Sequence, residues 1–250
     1  MELTIPRRFC GPPESGNGGW VSGALAAFVA TSAEHPAVTV RLASPPPLDR
    51  PMSVAVDDRP DEAAGAPGGP AVVRLLDGDH LVATATASSD LAEDLPPPVL
   101  LEQADGAAAR YEGLADHPFP TCFACGTDRD PGDALCLRPG PIGDGSGRYA
   151  ATWVPREASG PFVWAALDCP GAWAVGIAGR AMVLGTMTAR VDALPVVGEP
   201  HVVLAWPRGS QGRKHWSGTA LLTPGGEVLA RAEATWVAVD PATVRPEDRP

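Results

Sequence analysis

The sequence predicts an α+β protein of two similar halves, in which each half wraps an antiparallel sheet around one buried helix. Segments 18–23 and 171–176 share two glycines and a tryptophan at an offset of 153 positions, and each lies in a small, apolar stretch. Apolar residues nearly all round are typical of a buried helix. Strand-like segments follow each stretch, and each half closes with a tight hairpin turn, at 77–78 and 225–226.

The predicted first helix runs from Gly18 to about Glu34, and the second from Gly171 to about Gly185. A short helix is also expected within 100–111. The predicted strands are 38–42, 52–56, 71–76 and 81–87 in the first half, and 187–191, 201–206, 216–222 and 228–239 in the second.

The two hairpin turns are only 147 positions apart, and a loop insertion at 57–70, rich in Asp, Ala, Pro and Gly, explains the smaller offset. We therefore predict an N-terminal domain over 1–94, a linker over 95–120, a C-terminal domain over 121–240 and a loose tail over 241–250.

Composition narrows the choice of partners and compartment. The 250 residues include 19 basic and 30 acidic side chains, a net charge of −11, which argues against nucleic-acid binding and against a polybasic membrane anchor. The sequence shows neither a secretory signal nor an apolar run of membrane-spanning length. Five cysteines, an odd number, indicate a reducing compartment. These features predict a cytoplasmic protein without membrane partners.

Three motifs resemble the hotdog-fold thioesterase superfamily, in particular its PaaI-like members. The first is Asn17-Gly18-Gly19 at the start of the first helix, the second is 122–126 (Cys-Phe-Ala-Cys-Gly) with the glycine and leucines after it, and the third is 164–170. The resemblance implies a tandem double hotdog whose halves mimic a hotdog dimer. It places ligands between the halves, near the helix N-termini.

The resemblance also implies an activity: hydrolysis of an acyl thioester carried by coenzyme A or by an acyl carrier, with coenzyme A as part of the substrate and no separate cofactor. The chain departs from the family at position 17, where many relatives have His, and it lacks the Asp-x4-His dyad of hydratase-type hotdogs. The alternatives are a non-catalytic acyl or acyl-CoA binder, and a dehydratase or cyclase acting on a thioester or polyketide-like substrate. A double hotdog already contains the two packed domains that a hotdog dimer forms, and further homo-oligomerisation is left open.

Asp168 is the strongest catalytic candidate because its carboxylate is flanked in the sequence by apolar residues. It would activate water as a general base or attack the thioester directly. The competing interpretation makes Asp168 the N-cap of its own helix, with Pro170 in the first turn. In the repeat alignment Asp168 matches Ser15, which indicates one active site per chain.

Asn17, Gly18 and Gly19 are the candidates for holding the thioester oxygen. A helix N-terminus offers free N–H groups, and glycine lets a carbonyl approach them closely. Alternatively, Asn17 is only an N-cap and the glycines only allow tight packing.

Three further residues are predicted to bind substrate. Arg213 and Lys214 lie in the densest basic cluster and would meet the phosphates of coenzyme A. Trp164, in the apolar stretch before Asp168, is the third substrate-binding candidate. Solvent exposure of the basic loop and burial of the tryptophan are the plainer alternatives.

Cys122 and Cys125 have the spacing of a zinc knuckle, but such a site needs two more ligands, for which His117 and Cys136 are available. A second Cys-x-x-Cys pair is missing. The pattern therefore favours two reduced thiols in a tight turn over zinc, and we predict no metal.

Overall fold

The computed structural model describes residues 1–57, 70–92 and 94–244, which form one large antiparallel sheet and a small set of helices. The predicted insertion at 57–70 falls almost entirely outside the described residues. The elements in chain order are β1 (Glu2–Thr4), α1 (Gly18–Ala26), β2 (Ala37–Leu42), β3 (Pro51–Asp57), β4 (Val72–Asp77), β5 (His80–Ser88), α2 (Leu101–Ala108), β6 (Gly140–Pro141), β7 (Tyr149–Trp153), α3 (Gly160–Ala174), β8 (Met182–Val191), β9 (His201–Gln211), β10 (Lys214–Leu222), β11 (Val228–Ala238) and α4 (Pro241–Val244).

The strand order shows that the two halves have the same topology. It runs β1-β3-β4-β5-β2-β8-β11-β10-β9-β7-β6, so β1 to β5 on one side match β7 to β11 on the other. The halves join where β2 pairs antiparallel with β8, from Val38 opposite Ala189 to Arg41 opposite Thr186. The prediction of two sheet-and-helix halves in one α+β fold is confirmed.

The two central helices, α1 and α3, pack closely against each other and against strands of the sheet. Glycine makes this approach possible. A Cβ atom at Gly19 would lie 2.4 Å from the Asp168 Cβ, and one at Gly23 would lie 2.7 Å from the Pro161 Cα. Residues 19–25 of α1 and 162–173 of α3 are buried. Both helices are therefore core elements, as their apolar composition indicates.

The predicted position of the second helix was wrong. We expected it to begin near Gly171, but α3 ends at Ala174 and Trp173 stands in its last turn, whereas Trp20 stands in the first turn of α1. The glycine–tryptophan match therefore does not align equivalent positions. Pro161 occupies the first turn of α3, where its fixed φ and missing N–H cost nothing, and Pro170 lies inside the helix.

The first helix also ends earlier than predicted. It stops at Ala26, and residues 27–29 continue only as turns. Farther on, the Ser32 hydroxyl oxygen accepts a hydrogen bond from the His35 N–H at 3.1 Å. Such local side-chain bonds compete with helical backbone bonds, and residues 30–35 are not helical.

The segment predicted as a linker covers part of the sheet. Helix α2 lies within it, as expected, and packs against β7 and β9. This contact builds a second, smaller core: Val99, Ala104, Ala107, Ala150, Val202, Leu204, Ala220 and Leu222. The predicted domain limits at 94, 120 and 240 stay predictions.

The predicted loose tail begins with structure. Residues 241–244 form the short helix α4, and Val244 packs on the main core. Residues 245–250 lie outside the described residues. Across the described part of the chain, the longest apolar helices fall short of what crossing a bilayer requires.

The contact between α1 and α3 can be tested with paired glycine substitutions. Gly23→Ala should lower the free energy of unfolding by about 1–3 kcal/mol, because the new methyl group has no space against Pro161 and Trp164. Gly106→Ala, in α2, meets nothing within 4 Å and should raise it by about 0.5–1 kcal/mol. Urea unfolding of both variants measures the difference. Equal effects at the two positions would contradict the close helix contact.

Candidate active site

A cavity of about 650 Å³ lies between the two halves, with walls from both. One side is the N-terminus of α1 with the loop before it, and the other is the C-terminal half of α3. Its predominantly apolar wall includes Leu42, Phe119, Ile177, Met182, Leu184 and Trp236. An apolar cavity with a few convergent polar groups is the usual form of a small-molecule site.

Asp168 is a polar residue of this wall. It belongs to α3, but its side chain forms hydrogen bonds with the start of α1. Its Oδ2 accepts hydrogen bonds from the Gly19 N–H and from the Asn17 Nδ2, each at 2.9 Å. Its Oδ1 is buried and has no hydrogen-bond partner among the described residues. The carboxylate therefore has one oxygen held by two donors and one oxygen uncommitted.

This geometry overturns the N-cap interpretation of Asp168. The residue is the ninth of the fifteen residues in α3, far from that helix's start at Gly160. Instead, it accepts an N–H from the first turn of α1, the helix of the other half. The first N–H groups of a helix lack intrahelical acceptors, so a carboxylate from outside can satisfy one of them.

Asn17 links the cap of α1 to the carboxylate. Its Oδ1 accepts the Trp20 N–H at 2.9 Å, which makes Asn17 the N-cap of α1. Because that oxygen must accept, the amide nitrogen is turned toward Asp168. The cap and the site-facing roles, posed as alternatives from sequence, are thus filled by the two ends of one amide group.

The two glycines occupy different positions in the site. The Gly19 N–H is already bound to Asp168. Gly18 lines the cavity, and as the first residue of α1 its N–H has no acceptor within the helix. A Cβ atom at Gly18 would lie 2.8 Å from the Leu184 Cβ, so glycine is required for the close fit.

The environment of Asp168 changes its acidity. Burial raises the pKa of its carboxyl to about 7, because the charged form loses its hydration. The Gly19 and Asn17 hydrogen bonds favour the charged form and oppose this rise, while the nearby Cys122 adds to it. The carboxyl is therefore far less acidic than an exposed aspartate.

Three thiols gather beside the carboxylate. The Sγ atoms of Cys122, Cys125 and Cys169 all lie within 4.8 Å of one another, and those of Cys122 and Cys169 are 3.6 Å apart. The Asn17 Nδ2 lies 3.7 Å from the Cys122 Sγ and 3.8 Å from the Cys169 Sγ. Cys169 is the member that sequence reasoning missed, and Cys136 lies apart, with its Sγ near the Arg129 carbonyl.

His117 is buried beside Cys125 and lines the cavity. Its Nδ1 accepts the Phe119 N–H at 2.9 Å, so in the neutral ring Nε2 carries the proton and donates to the Cys125 carbonyl oxygen at 3.1 Å. Burial lowers the pKa of His117, which keeps the ring neutral.

The three predicted substrate-binding residues lie outside the cavity wall. Trp164 is buried in α3 against Gly23 of α1 and helps to hold the two helices together, which removes it from the candidate site. Arg213 and Lys214 lie exposed at the turn between β9 and β10. That turn is near the site, because Lys214 pairs with Val237, a residue of the cavity wall.

The cap of α1 provides a test of the hydrogen-bond arrangement. Asn17→Ala should lower the free energy of unfolding by at least about 1–2 kcal/mol, because both the cap to Trp20 and a donor to Asp168 are lost. Ser159→Ala is the matched control, since Ser159 is the N-cap of α3 but makes no side-chain cap bond. It should change stability by less than about 0.5 kcal/mol. Thermal and urea unfolding measure both effects. A larger loss of stability in Ser159→Ala than in Asn17→Ala would contradict the hydrogen-bond arrangement.

Comparison with known proteins places this geometry in a known fold. Searches against protein-family models and against curated proteins find no match. Among solved structures, a protein with hot dog fold from Alicyclobacillus acidocaldarius is similar at a TM-score of 0.62 and 14% identity, over 96% of this chain and 92% of the other.

Two further structures are similar over nearly the full chain. An acyl-CoA thioesterase II, TesB2, from Mycobacterium marinum has a TM-score of 0.58 and 11% identity, over 97% of this chain and 93% of the other. The dehydratase domain of PpsC from Mycobacterium tuberculosis, in complex with C12:1-CoA, has a TM-score of 0.53 and 12% identity, over 96% of this chain and 93% of the other. With its duplicated topology, its paired central helices and these neighbours, the chain has the double hotdog fold.

Proposed function

We propose that this protein hydrolyses an acyl thioester carried by coenzyme A or by an acyl carrier. One observation carries the proposal: the Asp168 carboxylate lies in the wall of an apolar cavity, held by two donors at one oxygen and uncommitted at the other. The similarity to an acyl-CoA thioesterase and to a CoA-bound dehydratase domain supports a thioester as the ligand class.

The fixed oxygen of Asp168 sets the direction of the free one. Bonds from the Asn17 amide and the Gly19 N–H hold Oδ2, so the carboxylate cannot rotate without losing both. The proposal assigns to Oδ1, which is buried and has no partner among the described residues, the role of accepting a proton from a water molecule in the cavity. A base that is held in place in this way acts without an orientation cost in the reaction step.

The thioester carbonyl would lie at the N-terminus of α1. Gly18 provides a backbone N–H there, in addition to the positive end of the helix dipole. Water would lose a proton to Asp168 Oδ1 and attack the carbonyl carbon, and the negative charge on the oxygen would be stabilised at the helix end. Collapse breaks the carbon–sulfur bond, and the proton on Asp168 passes to the departing thiolate. The products are a free acid and a free thiol.

The apolar part of the cavity would hold the acyl chain. Residues such as Met182, Leu184 and Trp236 come from β8 and β11, next to the seam between the halves. Burying apolar chain surface there contributes roughly 25 cal/mol per Å² to binding. The acyl group is therefore expected to be largely hydrocarbon near the thioester.

The central test is the substitution Asp168→Asn. The new side chain keeps an oxygen for the Gly19 and Asn17 donors but cannot accept a proton from water, so thioester hydrolysis should fall by at least about a hundredfold. Binding of a non-hydrolysable acyl-CoA analogue should stay within about threefold. Release of coenzyme A from an acyl-CoA panel, separated by chromatography, measures the rate, and calorimetry measures binding.

Asp192→Asn is the control, because Asp192 is a partly exposed carboxylate paired with Arg190 outside the cavity. It should leave both measurements unchanged. Full activity in Asp168→Asn would refute the role of the carboxylate. A wild-type protein that binds the analogue but releases no thiol would identify an acyl-CoA binder, and a dehydrated or cyclised product in the mass spectrum would identify the third class of function.

The basic turn is proposed to meet the phosphates of coenzyme A. Arg213 and Lys214 are exposed at the turn between β9 and β10, and Lys214 pairs with Val237 of the cavity wall, in a chain that is otherwise acidic. Replacing both by alanine should raise the KM for acyl-CoA by about threefold to tenfold with little change in kcat. The matched acyl N-acetylcysteamine thioester, which has no phosphates, should show no change. An equal rise in KM for both substrates would contradict the proposed contact with the phosphates.

A further inference from the structure

We propose that Cys122, Cys125 and Cys169 form a site for a thiophilic metal ion, with Zn²⁺ as the ion that fits best. The proposal does not rest on the proposed hydrolysis, because Asp168 is not among the ligands, although the thiols and Asp168 line the same cavity. It rests on the way two distant segments of the chain bring three buried thiols together at the cavity wall.

The sulfur positions suit a tetrahedral ion. Zinc–sulfur bonds of about 2.3 Å at a tetrahedral centre place neighbouring sulfur atoms about 3.8 Å apart. The Cys122 and Cys169 Sγ atoms are 3.6 Å apart, and all three sulfur atoms lie within 4.8 Å of one another. Rotations of these side chains by small angles would therefore bring all three to bonding distance.

The turn that carries two of the thiols is built independently of any ion. The Gly126 N–H binds the Cys122 carbonyl oxygen at 2.9 Å, and a Cβ atom at Gly126 would lie 2.4 Å from the Pro120 oxygen. Beyond the turn, the Leu135 and Leu137 N–H groups bind the Phe123 and Ala124 carbonyl oxygens. The Cys-x-x-Cys-Gly turn is thus held in a fixed shape, with its two sulfur atoms on the side that faces α3.

Electropositive groups face the thiols. The Asn17 Nδ2 lies 3.7 Å from the Cys122 Sγ and 3.8 Å from the Cys169 Sγ, and the N-terminus of α1 begins at the next residue. Zinc binds thiolates, and donors at these distances help to orient the ligands and to balance their charge.

His117 and Cys136, the extra ligands that the sequence offered, do not complete the site. The Nε2 of His117 lies 3.4 Å from the Cys125 Sγ, but it carries the ring proton because Nδ1 accepts the Phe119 N–H. Cys136 lies apart from the three thiols. Since all three cysteines line the cavity, the fourth position is left for water or for a ligand in the cavity.

Metal content tests the proposal directly. The full chain is purified with its thiols reduced, stripped with a chelator and dialysed against micromolar zinc. Elemental mass spectrometry should then find roughly one zinc ion per chain. Cys122→Ser, Cys125→Ser and Cys169→Ser should each weaken retention at least about tenfold. Cys136→Ser is the matched control and should retain zinc as the wild type does.

A second measurement avoids substitutions, which could disturb folding. In the wild-type protein, bound zinc should slow alkylation of Cys122, Cys125 and Cys169 in peptide maps while Cys136 is modified at an unchanged rate. A wild-type protein that holds no zinc above the buffer blank, or a Cys136→Ser variant that loses zinc equally, would overturn the site. A disulfide between Cys122 and Cys169 in freshly purified protein, with no metal, would also overturn it. These measurements read zinc binding and not hydrolysis, so their failure leaves the proposed thioester hydrolysis to be judged by its own assays.

Discussion

The hydrogen bonds between Asp168 and the start of α1 are the interaction on which the rest of the site depends. They join the central helix of one half to the central helix of the other, so they act both as an interdomain contact and as the device that orients a carboxylate. Both functions require a very short distance between the helices. Glycine at position 19 provides that distance, because any larger residue would overlap the Asp168 side chain.

The same interaction explains how a carboxylate can remain in an apolar interior. Removing a charge from water costs several kcal/mol unless hydrogen bonds replace the lost hydration. The free N–H of a helix N-terminus and the amide of Asn17 provide part of that replacement, and the rest of the cost appears as the raised pKa of Asp168. A buried carboxylate that lowers stability in this way agrees with the role proposed for Asp168, since functional sites are where such costs are expected.

Sequence patterns predicted the sheet much better than the second helix. Each of the eight predicted strands overlaps a strand of the structure, although β8 begins five residues earlier and β9 ends five residues later than predicted, and β1, β6 and β7 were not predicted. The strands at the two tight turns were placed best, because such a turn leaves few alternative registers. The start of α1 was also predicted, since Asn17 and two glycines form a recognisable cap. The second helix was misplaced because two identical tryptophans suggested an alignment, and Pro170 was interpreted as a helix start when Pro161 had that role.

By itself, the sequence determined the duplicated α+β architecture, the buried character of both helices and the identity of Asp168 as an unusual carboxylate. Apolar composition is enough to indicate the buried helices, and the repeated order of helix, strands and hairpin turn indicates the duplication even though the glycine–tryptophan match was misaligned. Only the tertiary structure decided which groups meet: Asp168 with Asn17 and Gly19, about 150 positions away, and Cys169 with Cys122 and Cys125. Contacts of this kind depend on how two helices pack against each other and against one large sheet, and no spacing along the chain encodes that packing.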